Sequence, residues 1–381
     1  MSLPTLHLIA PFHTQLKAAT TSSCAFSMKS LRFAKMMRAV GYRVMEYANA
    51  GSESEADEKV VMLTQEEFDQ HYPAKKPADF VGGYAVIGER GWPIFHARLI
   101  TALLERLKPG DIVCHQFGRA HEQLPSVLPN VAHCEIGVGY PDVPFGCWRI
   151  FESETWRAYH WGRDDQNPTL RNDRGSARSY SWVIPNYFYL DDWPEGDGSG
   201  DYVLYMGRIT PEKGMTTLVE TIKADAGKTR FVFAGQGDFD GLIRSQIPEG
   251  SKVDYLGVLN GRQRAEAVGN ARCMVMPTQF VEPFGGAGVE GMLCGTPLIA
   301  SNFGAFVETV NHGITGYRCN TLADWMAAIE ASRFINRKVV SAVARAHYSL
   351  ETCAKKYDAA FRQIADLSGP GWYSPNSYRI P

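Results

Sequence analysis

Glu282-Pro283-Phe284-Gly285-Gly286-Ala287-Gly288-Val289-Glu290-Gly291-Met292-Leu293-Cys294-Gly295-Thr296-Pro297-Leu298-Ile299-Ala300-Ser301 follows Cys273-Met274-Val275-Met276-Pro277, an apolar run with the pattern of a buried strand. The chain then turns through glycines, forms a short helix, stops at Gly295 and re-enters an apolar strand, giving a strand-loop-helix-strand unit. Glycines let backbone N–H groups approach a ligand, and a helix N-terminus carries partial positive charge, so the loop suits an anionic group. Glu282 precedes the loop and Glu290 lies about one helical turn inside it. Two acids there would repel a phosphate, so they read as acceptors for neutral hydroxyls, those of a sugar and a ribose.

Glu282 and Glu290 enclose seven residues. With the E-P-F-G opening and the C-G-T-P-L-I-A closing, the stretch resembles the E-x7-E signature of retaining, family-four-like glycosyltransferases with the GT-B fold. An ordinary β-α-β crossover with two solvated glutamates would account for the acids but not for both flanks. The resemblance implies an α/β chain of two doubly wound parallel-sheet (Rossmann-like) domains facing across a cleft. It also implies that Glu282 binds the transferred sugar, that Glu290 binds the ribose, and that Phe284, Gly285, Gly286, Ala287 and Gly288 belong to the donor site.

Tyr202 to Met206 is a strand, followed by Gly207-Arg208-Ile209-Thr210-Pro211-Glu212-Lys213-Gly214. Thr210 suits an N-cap and Pro211 a first helical position, which predicts a helix running toward Ala224. Arg208 leaves the strand end, and a lysine in a first helical turn opposes the dipole unless an anion is near, so the pair suggests a diphosphate. The G-R-x-x-x-x-K-G pattern resembles the family's phosphate-binding pair, which implies catalytic roles for Arg208 and Lys213 as well as Glu282. Gly235-Gln236-Gly237 lacks the third glycine of a dinucleotide fingerprint. Val253 to Leu259 resembles the segment lining the nucleobase pocket, with contacts near Val258. The donor implied is a nucleotide-diphosphate-sugar, UDP-linked by preference, and no cofactor or metal is expected: the sequence has no D-x-D motif or clustered ligand set.

The first half alternates strands and helices, with strands expected at 6–10, 43–48, 59–64, 111–117, 131–138 and 148–153, and helices at 26–40 and 93–107. Open α/β sheets bind ligands at the carboxyl ends of strands, which singles out His13, His115 and Glu135 as acceptor-side candidates, His115 also as a catalytic candidate. Family members often carry H-x-H near this point; here Cys114 and Gln116 flank His115. The glycine-rich loop of many members is also replaced, by His13-Thr14 and Thr20-Thr21-Ser22-Ser23. Lys29, Arg32, Lys35 and Arg38 read as a solvated helix face or a surface for an anionic acceptor. Arginines and aromatics interleave over 156–163 and continue at Arg171, Arg174 and Arg178, diluted by Asp164, Asp165 and Asp173; a polar surface loop is the default reading. The expected domains are 1–190 (acceptor side), a linker at 191–200, 201–350 (nucleotide-sugar side), and a C-terminal helix and tail at 351–381 that cross back to the first domain.

The chain has 381 residues, 45% hydrophobic and 21% charged, enough for two domains with substantial cores. A net charge of −2 gives no global attraction to nucleic acid or membrane. No apolar run reaches membrane-spanning length and Met1-Ser2-Leu3-Pro4-Thr5 lacks signal-peptide features, so no stable membrane insertion and a cytoplasmic location are expected. The eight cysteines form no C-x-x-C pair, consistent with reduced buried thiols. The acceptor stays open among a small molecule or glycan, a lipid-linked acceptor and a hydroxylated base in DNA; the oligomeric state is open too. Rivals are a nucleotide-sugar epimerase, a non-catalytic nucleotide-sugar-binding module and, more distantly, a NAD-dependent oxidoreductase.

Overall fold

The computed structural model describes residues 3–17, 25–72, 87–142, 144–146, 148–164 and 180–368. The chain divides into two units, Met1–Tyr187 together with Leu350–Pro381, and Phe188–Ser349. The basic residues Arg171, Arg174 and Arg178 and the tail 369–381 lie outside the described residues.

In the first unit, short apolar runs become central strands buried on both faces, as parallel sheets require, while the edge strands Glu58–Val61 and Tyr180–Val183 are only partly buried. The strands are β1 (Leu6–Ile9), β2 (Val44–Ala48), β3 (Glu58–Val61), β4 (Ile112–His115), β5 (Ala132–Val138), β6 (Trp148–Phe151) and β7 (Tyr180–Val183). Their order is β3-β2-β1-β4-β5-β6-β7, with every pairing parallel, so the winding reverses between β1 and β4. Helices α1 (Ala25–Ala39), α2 (Gln65–His71), α3 (Trp92–Arg106), α4 (Leu124–Val127) and α5 (Glu154–Asp164) connect them. The C-terminal helix Leu350–Ser368 packs on α1, with Phe33 edge-on to Tyr357 and Phe361 at ring-centroid distances of 5.6 and 6.2 Å.

Of the four α1 cations, Lys35 and Arg38 are exposed, and they pair with Glu55 and Asp57. Lys29 and Arg32 are buried: Lys29 pairs with Glu152 and donates to Gly137 O at 2.8 Å, and Arg32 donates to Tyr187 O at 3.2 Å. The segment 154–164 is helix, not surface loop, because Trp156 and His160, four residues apart, share a buried face.

The second unit holds β8 (Tyr202–Met206), β9 (Arg230–Ala234), β10 (Val253–Tyr255), β11 (Cys273–Met276), β12 (Leu298–Ser301) and β13 (Gly316–Cys319), again all parallel, in the order β10-β9-β8-β11-β12-β13. Its winding reverses between β8 and β11. Helices α6 (Met215–Asp225), α7 (Phe239–Leu242), α8 (Gly261–Asn270), α9 (Gly286–Leu293), α10 (Phe306–Thr309), α11 (Leu322–Ala331) and α12 (Arg337–Tyr348) complete it. The stretch 191–200, expected as a linker, belongs to this unit. Gly196 N–H donates to Cys294 O at 2.9 Å and Gly198 N–H to Gly269 O at 3.0 Å, and the Arg337 guanidinium ties the carbonyls of Gly196, Gly269 and Ala271 together. Its glycines serve close backbone approach rather than freedom.

The helix expected from Pro211 to Ala224 is interrupted. Pro211–Lys213 is a single 3-10 turn, Gly214 adopts φ 83°, and α6 begins only at Met215. The reason is tertiary: a Cβ on Gly214 would collide with the carbonyl oxygen of Pro277. Gly214→Ala therefore combines left-handed strain with a backbone clash, and we expect a loss of at least about 2 kcal/mol, read as a lower urea midpoint at unchanged slope.

Glu46 on β2 is buried, with one oxygen accepting from Ser54 Oγ, and burial pushes its carboxyl up from 4.5 to about 7. Between these values the fold keeps a proton that the unfolded chain releases, so this group removes stability as pH rises through the window, by about 3 kcal/mol in full. Glu46→Gln should gain stability relative to wild type as pH rises from 4.5 to 7. A pH-independent difference between the two unfolding curves would contradict this.

Candidate functional site

A winding reversal leaves a crevice at the strand ends, where loops diverge to either side. In the second unit the loops after β8 and β11 occupy it. Gly214 lets the first loop press on Pro277, and Gln279 N–H donates to Glu212 O at 2.9 Å. The two loops are thereby locked together. The lock places Lys213 Nζ 2.7 Å from Glu282 Oε2, with both side chains largely buried, and 4.5 Å above the Phe280 ring. Arg208 is exposed at the end of β8, and its carbonyl accepts from the Tyr205 hydroxyl. Burial, with the charge of Glu282 next in weight, holds Tyr205 well above the usual phenol range, so it stays a neutral donor. Tyr205 and Phe280 had no sequence signal beyond apolar patterning.

Gly285, at φ 79°, turns the chain into α9. The N–H groups of Gly286 and Ala287, both partly exposed, head the helix without intrahelical acceptors. Gly288 N–H is committed to Gly285 O at 2.9 Å, and a side chain there would press on Leu298 and Met276. Gly288 is thus a packing residue, and the buried Phe284 packs against Phe188 and Tyr348 in the core. Glu290 Oε2 accepts from Arg264 Nη2 of α8. Val258 lies exposed beyond β10, beside Gly257, whose carbonyl accepts from Gly235 N–H at 2.8 Å. Gly235 and Gly237 leave room for the carbonyls of Gly207 and Ile209, so this G-x-G joins the β8 and β9 loops.

In the first unit the reversal lies between β1 and β4, and His13 and His115 flank it. Both are buried, and His13 packs on Phe117 at 4.8 Å. His133 Nε2–H donates to Leu128 O at 3.1 Å, which makes His133 Nδ1 the acceptor of His115 Nε2–H at 3.0 Å and leaves the lone pair on His115 Nδ1. Burial pushes His133 down to about 4 and His115 well below the usual imidazole range, so the pair is neutral. Glu135, opposite His115 in the β4–β5 register, accepts from the Tyr140 hydroxyl and from Gly146 N–H at 2.7 Å, and burial raises it to about 7.

Among the described residues no group of three or more His, Cys, Asp or Glu is arranged to hold a metal ion, and six free cysteines are buried. No helix among them is long and apolar enough to cross a membrane. Residues 194–338 match the family model for glycosyl transferases group 1. Over 119 residues, 30% of each chain, the protein is 30% identical to an uncharacterized glycosyltransferase of Methanocaldococcus jannaschii, and it spans less than half the length of the curated relatives it matches. Sucrose-phosphate synthase of Thermosynechococcus elongatus superposes with a TM-score of 0.69 at 17% identity, over 95% of this chain and 99% of that one. Anabaena HepE, solved with UDP-glucose, gives 0.65 at 14%, over 94% and 99%. With two reversed-winding parallel sheets the chain has the GT-B fold, and its second unit carries the match to the glycosyl transferases group 1 family.

Proposed function

We propose that the protein is a retaining glycosyltransferase that moves a sugar from a nucleotide-diphosphate-sugar, UDP-linked by preference, to a hydroxyl acceptor. The observation that carries this reading is the Lys213–Glu282 pair at the β8/β11 crevice, beside the N–H groups heading α9. A cation and a carboxylate already matched to each other can be re-matched, the cation to a phosphate and the carboxylate to sugar hydroxyls. Breaking the anomeric C–O bond gathers negative charge on the distal phosphate while the sugar becomes oxocarbenium-like. Arg208, Lys213 and the N–H groups of Gly286 and Ala287 stabilise that charge, so the reading calls for no metal or other cofactor.

Glu282 then orients the transferred sugar, Glu290 the ribose, and backbone near Val258 the base. The leaving phosphate takes the acceptor proton on the same face, so no dedicated base is required. His115 is the acceptor-side candidate with a lone pair to offer at Nδ1, and the buried Glu135 fixes the Tyr140 and Gly146 segment beside it. UDP as donor nucleotide is supported by HepE, a fold relative solved with UDP and with UDP-glucose. The acceptor is a small hydroxyl compound, a glycan or a lipid-linked species. A DNA base is less favoured, because two of the four α1 cations are buried and the other two are paired with acids.

A screen of nucleotide-sugars for released nucleotide, with and without acceptors, followed by mass analysis, tests the activity. Free nucleotide with a sugar isomer and no adduct would instead mark an epimerase. Lys213→Ala should lower kcat by about 100-fold or more while donor Kd changes less than about tenfold, since its charge counts most in the transition state. Near-wild-type turnover in that variant would remove Lys213 from the mechanism.

A further inference from the structure

Arg264 is a cation that neither motif of the second unit predicts, and it is built in. Asn260 and Gln263 form reciprocal caps at the start of α8, Asn260 Oδ1 accepting from Gln263 N–H and Gln263 Oε1 from Asn260 N–H, each at 3.1 Å. Ala265, Ala267 and Val268 anchor the same helix in the core that also takes Val289 of α9. Arg264 is thus fixed in reach of Glu290, and the two side chains keep only 18% and 13% of their exposure. Arg262 on the same helix shows the contrast: at 89% exposure it pairs with Glu266 one turn on, a contact that adds little. Arg264 instead reaches to another helix and holds one oxygen of a largely buried carboxylate.

A carboxylate that recognises a ribose must keep a lone pair aimed at the hydroxyls. A guanidinium on Oε2 holds it in that orientation, and removing it would leave the carboxylate part-buried and unpaired, free to rotate away. We propose that Arg264 is a positioning residue for the nucleotide, acting through Glu290 to make the site select ribonucleoside over deoxyribonucleoside diphosphates. The inference rests on the assignment of Glu290 to the ribose.

The test uses the full chain and calorimetric titration with UDP, ADP and GDP, followed by comparison of the tightest of the three with its 2′-deoxy and 3′-deoxy forms. Wild type should bind the ribonucleotide at least about tenfold more tightly than one of the deoxy forms, the loss expected for a charge-assisted hydrogen bond. In Arg264→Ala that ratio should fall below about threefold, with KM for the sugar donor raised and kcat nearly unchanged. Arg264→Lys, which keeps a cation, should restore most of the ratio, a rescue that a purely structural loss would not give. Arg264→Gln replaces the alanine variant if the latter fails to fold, with the same fall expected. If the variant keeps the wild-type ratio, Arg264 has no part in ribose recognition, although Glu290 retains its assignment. If wild type shows no ratio, or binds none of the three nucleotides, the Glu290 assignment falls and this proposal with it.

Discussion

The second unit depends on one close approach, the α-carbon of Gly214 against the carbonyl of Pro277. β8 and β11 are neighbours in the sheet, so their loops must separate or lean on each other. The glycine permits leaning. Everything chemical in the crevice follows: the turn before Gly214 brings Lys213 to Glu282, and the Pro277 loop continues through Gly285 into α9. Any side chain at position 214 would part the cation from the acid without touching either.

Charge is distributed differently in the two units. In the second, Glu282 and Glu290 each hold a cation from another segment. A ligand offering both a diphosphate and hydroxyls can trade partners with these pairs, and the desolvation already met by the protein is not met again. In the first unit, burial drives ionisable groups toward neutrality: Glu46 and Glu135 rise to about 7, while His133 falls to about 4. Lys29 and Glu152 are buried as well, matched to each other.

Most sheet strands were readable because buried parallel strands are short apolar runs, whereas β13, Gly316–Cys319, half-buried and carrying Arg318, was not; 273–301 was legible almost residue by residue. The sequence concealed whatever depends on distant partners. Helical spacing assigns any charged residue to the solvent side, but Lys29 meets Glu152 and Arg32 meets Tyr187, both more than 100 residues away in the chain. Gly214 was visible as a glycine, yet its reason, Pro277, comes from another loop. Helix α8, which carries Arg264, escaped notice because its buried face is built from alanines, Val268 and Gly269, too small to mark a stripe. Linker-like composition misled at 191–200 for a related reason: glycine allows tight backbone packing as readily as motion.

The first unit is discontinuous along the chain, and this has a consequence for synthesis. The second unit is one uninterrupted segment, Phe188–Ser349, whereas the partner of Phe33 on α1 is a helix near the chain's end. During vectorial emergence from the ribosome the later segment can complete its core while the earlier one still shows an uncovered apolar flank. Closure of the amino-terminal core therefore waits until the second unit has been synthesised, and until then that flank is exposed apolar surface on the nascent polypeptide.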